Sequence, residues 1–175
     1  MTNPVQSFPG ITHRRAPKRD AQSDANDVSE TVAGVLQAVR TRGDAAVREF
    51  AAKFDKSDLD AFEVSMADRE ASVSKLDPQT RADTEFAIGN VRAFAEAQRG
   101  TMLPLDVEIM PGVHLGHRII PLERVGCYVP GGRYPLLSAP IMTIVPAKVA
   151  GVEEIICCLP PNAHEAMVAG CHLSG

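Results

Sequence analysis

The sequence predicts an α/β chain: an amino-terminal helical region, then the start of a doubly wound parallel sheet that is left incomplete. Three observations predict it. Up to Gly100 the apolar residues recur at helical spacing, with capping residues between the periodic stretches. From Leu105 the pattern changes to alternation around a Pro-Gly pair. From Val125 two short apolar runs, VGCYV and VEEIICCL, flank a mainly apolar helical segment. Continuous apolar runs of this kind mark parallel strands buried on both faces.

Residues 1–28 are polar, with Pro4, Pro9 and Pro17 and a basic group at His13, Arg14, Arg15, Lys18 and Arg19. They read as an extended arm, ordered only where something else holds it. The basic residues read as a solvated tail.

Residues 29–124 read as a helical region ending in a β-hairpin. Ser29 is the expected N-cap of the first helix, with Val32, Val35, Leu36 and Val39 as its stripe. Gly43 stops that helix at C′. Asp44 caps the next, which carries Val47, Phe50, Ala51 and Phe54, so the two helices form an αα-hairpin. Ser65 caps a short helix that ends near Leu76. Asp77 then serves as N-cap and Pro78 as the first residue of a long helix ending at Gly100. Its expected apolar side is Phe86, Ile88, Val91, Phe94 and Ala95. The stretch LDVEIMPGVHLGHRII reads as a hairpin turning at Pro111-Gly112. His114 and His117 are three apart, which puts them on opposite faces of a strand, so a shared metal is not expected.

Residues 125–175 read as the first part of a nucleotide-binding α/β domain. VGCYV is the first strand and PGGRYP a turn. LLSAPIMTIVPAKVAG is a helix with Pro140 in its first turn, a kink at Pro146 and its end at Gly151. VEEIICCLPP is the second strand. Asn162 is the expected cap of a final helix, with His164 and His172 on its surface. Two parallel strands alone leave an unpaired apolar edge. The piece is therefore expected to self-associate, to complete its sheet with another chain, or to belong to something longer.

Composition narrows the function. The chain has 175 residues, enough for one domain or two small ones, and 45% hydrophobic content, which is ordinary for a globular protein. No stretch approaches the ~18 apolar residues of a membrane span, and the start lacks the apolar core of a secretory signal. The formal net charge is -4, with both signs interspersed, which gives no basic face for nucleic acid. The four cysteines, Cys127, Cys157, Cys158 and Cys171, form no C-x-x-C and read as buried, reduced thiols of a cytoplasmic protein.

The strongest local signal for chemistry is the glycine-rich turn after the first strand. Backbone amides in such a turn, with the N-terminus of the next helix, can accept an anionic group. Gly131 and Gly132 behind Pro130 let the backbone approach a ligand closely. The turn is neither G-x-G-x-x-G nor a P-loop, and a tight connection is its plainer reading. Tyr128 falls at the carboxyl end of the first strand, where open α/β sheets bind ligands. Its phenol can stack on a ring or donate to a ribose, or simply close the core with its hydroxyl in water. Arg133 can meet a phosphate or carboxylate, or be solvated. Ser138 is a ligand contact or a local cap. No nucleophile-base pair can be assembled, so no residue is assigned a catalytic or metal role.

PLERVGCYVPGG followed by MTIVPAKVAGVEEIICCLPP resembles the histidinol dehydrogenase family. VRTRGDAAVREFAAKFDKSDL and NVRAFAEAQ resemble that family's amino-terminal helices in the same order, and LGHRIIPLERVG resembles the lead into its first nucleotide-domain strand. The likeness runs from about residue 30 onward. It implies a Rossmann-like domain in a homodimeric, cytoplasmic enzyme dependent on NAD and zinc. Such an enzyme oxidises an alcohol to the acid in two hydride transfers through an aldehyde. It implies that Tyr128 contacts NAD, alongside Pro130, Gly131 and Gly132. The family's zinc ligands and acid/base pair have no counterpart in these residues, so neither cofactor is expected to bind well to this piece alone.

One segment departs from the family. Histidinol dehydrogenases carry small residues and proline after the glycines, whereas this chain has GGRYPLLS. That resembles a branch acting on other alcohols, sulfopropanediol among them. Arg133, with Ser138, would then face the substrate, since a guanidinium suits an anionic sulfonate head. Two alcohols stay open, and so does a non-catalytic α/β assembly module that pairs through its open sheet edge.

Overall fold

A computed structural model of the chain describes residues 21–58, 60–131 and 135–175, the side chains of 21–27 aside. Two compact units divide between Lys56 and Ser57.

The first unit contains α1 (Ala21–Arg42), α2 (Asp44–Phe50) and one wider helical turn, Ala51–Asp55. The start of α1 corrects two expectations. Ser29 lies inside the helix and not at its cap, and residues 21–28 are helical and not part of an extended arm. No proline or glycine falls between Pro17 and Gly34 to break the helix, and an interior serine costs only a few tenths of a kcal/mol. Gly43 joins the helices with φ of 57°, a left-handed conformation that a β-carbon disfavours. Its N–H donates to the Val39 carbonyl at 2.8 Å, closing the last turn of α1. Asp44 is the first residue of α2 and not its cap, placed where a carboxylate favours the helix dipole. Ala46 is fully buried, and the Phe50 and Phe54 rings stack at 5.8 Å.

The second unit contains α3 (Met66–Ser74), α4 (Pro78–Gly100), β1 (Leu105–Met110), β2 (Val113–His117), β3 (Arg124–Tyr128), α5 (Ser138–Ala150), β4 (Glu154–Cys158) and α6 (Glu165–Ser174). The caps predicted for α3 and α4 hold. The Asp68 N–H donates to Ser65 Oγ at 3.1 Å, and the Thr80 N–H to Asp77 Oδ1 at 3.0 Å. The bonds from Thr80 hold the Asp77 carboxyl below its ordinary range. A carboxyl that is more acidic in the folded chain stabilises above its unfolded pKa, about 4, and that contribution is lost as pH falls through the folded value. Asp77→Ala is therefore expected to lower the thermal midpoint at neutral pH. The deficit should shrink in acid below pH ~4, and thermal scans of both proteins across this range check it.

The core of the unit lies between α4 and α5. Ile88, Ile141 and Val145 are buried together, with Ala87, Val91 and Leu173 packed against them. Thr84, Ile88 and Ala95 form the buried line of α4. Phe86 and Phe94, expected on that side, are instead 72% and 67% exposed. They sit eight residues apart on a second apolar stripe, and helical periodicity alone does not say which stripe meets the core. α3 packs on α6, where Lys75 and Glu165 pair at 2.6 Å, and α5 also contacts α6 and both parallel strands. Arg99 of α4 donates to the Val149 carbonyl at 2.6 Å, which satisfies one of the free carbonyls at the end of α5. That helix runs on through Pro146 and ends at Gly151 as expected.

β1 and β2 form the predicted antiparallel hairpin. Leu105, Val107 and Leu115 share one face of it and are exposed. His114 bonds Asp106 and His117 bonds the Leu103 carbonyl, each at 3.0 Å, so the two imidazoles point to different partners.

β3 and β4 pair in parallel, with Arg124 opposite Glu154 and Tyr128 opposite Cys158. Val125, Cys127, Ile155 and Cys157 face the helices. Arg124, Gly126, Tyr128, Glu154, Ile156 and Cys158 face the other way and are exposed. The expectation of two buried faces is corrected: among the described residues, α5 and α6 cover one face only.

Candidate functional site

The crossover from β3 to β4 builds the candidate ligand edge. β3 ends at Tyr128, on the open face and 70% exposed. The next residue, Val129, is fully buried, and its N–H donates to the Cys158 carbonyl at 3.0 Å. This bond carries the parallel ladder one step past the strand and fixes where the turn begins. Pro130 and Gly131 follow, both exposed. Gly131 lies flat against Pro160, which follows β4. A β-carbon at 131 would stand 2.5 Å from Pro160 Cγ, so only glycine fits without displacing that ring. The two strand ends are thus locked together by one ladder bond and one close contact.

Of the sequence-predicted residues, the structure brings Tyr128, Pro130 and Gly131 to this edge. Gly132 and Arg133 lie outside the described residues. Ser138 is the first residue of α5 and is exposed, and the N-cap is Leu137, which makes no side-chain capping bond. Ser138 is thus not a local cap. Asn162 is not the cap of α6: His164 is, its Nδ1 accepting from the Ala166 N–H at 3.2 Å. Asn162 lies instead in a turn closed by the bond from the Ala163 N–H to the Pro160 carbonyl at 3.0 Å.

The cysteines sort by face. Cys127 is buried and Cys158 exposed. Burial pushes the Cys127 thiol up, against a hydrogen bond with Thr143. Cys157 and Cys171 are half-buried, with sulfurs 3.3 Å apart. That approach was missed by sequence reasoning, because no C-x-x-C spacing announces it.

A parallel β-α-β unit with a close-packed glycine turn and an exposed aromatic at the strand's carboxyl end defines an α/β protein, a class whose open sheets take ligands at the strand ends. The chain belongs to the histidinol dehydrogenase family, whose sequence profile matches residues 18–175. It is 46% identical over 151 residues to "Histidinol dehydrogenase homolog 1" of Mesorhizobium japonicum, an alignment covering 85% of this chain and 30% of that protein. It is 40% identical over 159 residues to "Sulfopropanediol 3-dehydrogenase" of Ruegeria pomeroyi, covering 89% of this chain and 36% of that one. The crystal structure of histidinol dehydrogenase from Elizabethkingia anophelis superposes with a TM-score of 0.78 at 28% identity, over 91% of this chain and 36% of that chain. The chain thus spans about a third of the length of the curated relatives it matches.

Proposed function

We propose that this chain carries the amino-terminal portion of a zinc- and NAD-dependent alcohol dehydrogenase of the histidinol dehydrogenase family. The enzyme takes an amino alcohol or a related alcohol to the acid in two hydride transfers. Residues 125–175 are the opening of its nucleotide-binding domain, and the whole works as a cytoplasmic homodimer. The observation that carries the reading is the placement of Tyr128, exposed at the carboxyl end of β3 beside a turn that admits only glycine at 131.

NAD, when bound, accepts the hydride. This chain's residues bind and orient it. The Tyr128 ring offers a face for stacking and its hydroxyl a donor for a ribose oxygen. The bare backbone at Gly131 lets an anionic group approach the turn amides. Ser138 offers a second hydroxyl at the start of α5. Among the described residues no three His, Cys, Asp or Glu side chains are grouped as a metal ion requires, so no step on zinc is drawn from them.

The substrate has a second reading. The relative named for sulfopropanediol and the GGRYPLLS segment both favour an alcohol with an anionic sulfonate. Arg133 is then its partner, by charge-assisted hydrogen bonds. Steady-state kinetics decide the matter in a polypeptide of the relatives' full length that contains these residues. NAD reduction with either alcohol supports the dehydrogenase, and the larger kcat/KM names the substrate. Failure with both, zinc supplied, overturns it. In the same protein Tyr128→Ala is expected to weaken NAD binding about tenfold, the effect of roughly 1.4 kcal/mol. Tyr128→Phe separates the ring from the hydroxyl, and unchanged NAD affinity in both variants would remove Tyr128 from the site.

A further inference from the structure

We propose that Cys157 and Cys171 are a redox-active thiol pair that closes to an intrachain disulfide on exposure to a low-molecular-weight disulfide, fastening α6 to β4. The pair does not belong to the ligand edge described above. Cys157 points to the helix-covered face of the sheet, away from Tyr128 and Cys158, and meets Cys171 on α6.

Geometry carries the inference. The two sulfurs are 3.3 Å apart, and a disulfide needs about 2.05 Å, so a movement of little more than an ångström closes it. The two residues are fourteen apart in sequence, which makes the ring short and its closure local. Both are half-buried, so a small oxidant can reach them, whereas Cys127 is buried. Cys158, though exposed, sits on the opposite face of β4. The shared hydrogen bond stabilises whichever thiolate of the pair forms first, since either sulfur can be its donor. That sulfur attacks and the other resolves.

The chemistry balances in two exchanges. The first thiolate to form, at Cys157 or Cys171, attacks one sulfur of the small disulfide, forming a mixed disulfide and releasing one small thiolate. The other cysteine of the pair, on losing its proton, attacks that protein sulfur. The Cys157–Cys171 bond forms, the mixed bond breaks, and a second small thiolate leaves. The two protein thiol protons end on the two released thiols. The protein pair loses two electrons and the small disulfide gains them.

The test treats the intact chain with oxidised glutathione and counts free thiols under denaturing conditions. The expected result is a fall from four thiols to two, restored by dithiothreitol. Cleavage at glutamate, without reduction, separates residues 155–165 from 166–175. Fragmentation of the linked pair then assigns the bond to Cys157 and Cys171. Cys158→Ser and Cys127→Ser should keep the link, and Cys157→Ser and Cys171→Ser should abolish it. A titre that stays at four, a bond that maps to Cys158, or a covalent dimer overturns the proposal. The mapping on the unsubstituted chain stands even where a variant fails to fold.

Discussion

Ile141→Ala is expected to destabilise the unit from Ser57 to Gly175 by about 2–5 kcal/mol, the range for truncating a large aliphatic residue in a packed core. Ile141 is 3% exposed and lies at the meeting of α4 and α5, against Ile88 and Val145. Val145 is fully buried, and α5 is apolar nearly all round because it is wedged between α4 on one side and the two parallel strands on the other. The packed surroundings relax only partly around such a void, so the loss of contact adds to the loss of transfer free energy. Ile141→Val, which keeps the branch, should cost only about 0.5–1.5 kcal/mol. Urea unfolding of the three proteins checks both figures. The midpoint should fall from the parent through Ile141→Val to Ile141→Ala while the slope stays constant. Equal midpoints would mean that the α4–α5 contact is not the core of the unit.

The second large effect is expected at Gly131. Gly131→Val puts a branched side chain where a single β-carbon already stands 2.5 Å from Pro160 Cγ. A proline ring has little freedom to swing aside, so the strain passes into the backbone on both sides of the turn. Overpacking of this kind costs about 1–3 kcal/mol. More telling is where it acts: the turn after β3 and the segment after β4 must move apart, at the edge proposed to hold NAD. In the full-length protein Gly131→Val should therefore weaken NAD binding more than Tyr128→Ala does, because it displaces the amides and not one side chain. Calorimetric titration of NAD into both variants measures the order, and the reverse order would detach the turn from the binding edge. Gly131→Ala with Pro160→Ala should recover part of the loss, since the second change removes the ring carbon that the first one meets.

What could be read in advance was local. Ser65, Asp77-Pro78, Gly43 and Gly151 mark their helix ends because capping depends on a residue and its next three or four neighbours. The hairpin at Pro111-Gly112 and the parallel pair β3–β4 were legible for the same reason, as turn chemistry and apolar runs. Tyr128 at the carboxyl end of β3 follows from that pairing. What was not legible depends on distant parts of the chain. The Phe86–Phe94 stripe and the Ile88 stripe of α4 are alike in composition, and the position of α5 selects between them. Residues 21–28 are helical because no proline or glycine interrupts them, and Ser29, a good cap by type, lies inside the helix. His164 as an N-cap is chemically sound but outside the usual set of serine, threonine, aspartate and asparagine, so Asn162 drew the expectation. The open face of the β3–β4 sheet follows from both helices lying on one side, and apolar runs carry no sign of which side. Of the residues expected at the candidate site, the turn glycine 131 and Tyr128 were legible from sequence. The approach of Cys157 to Cys171 needed the placement of a whole helix.

The direction of the β3–β4 pairing also bears on how fast the chain reaches its final form. Arg124 and Glu154, which join the two strands by an ion pair at 2.6 Å, lie thirty residues apart, and all of α5 falls between them. Strands that run the same way cannot zip up from a tight bend as the β1–β2 hairpin can. The entropy of gathering that span must be met before any ladder bond forms. The hairpin and the capped helices are expected to assemble early and the β3–β4 alignment to be the slow event of refolding, which stopped-flow refolding with probes in each would check.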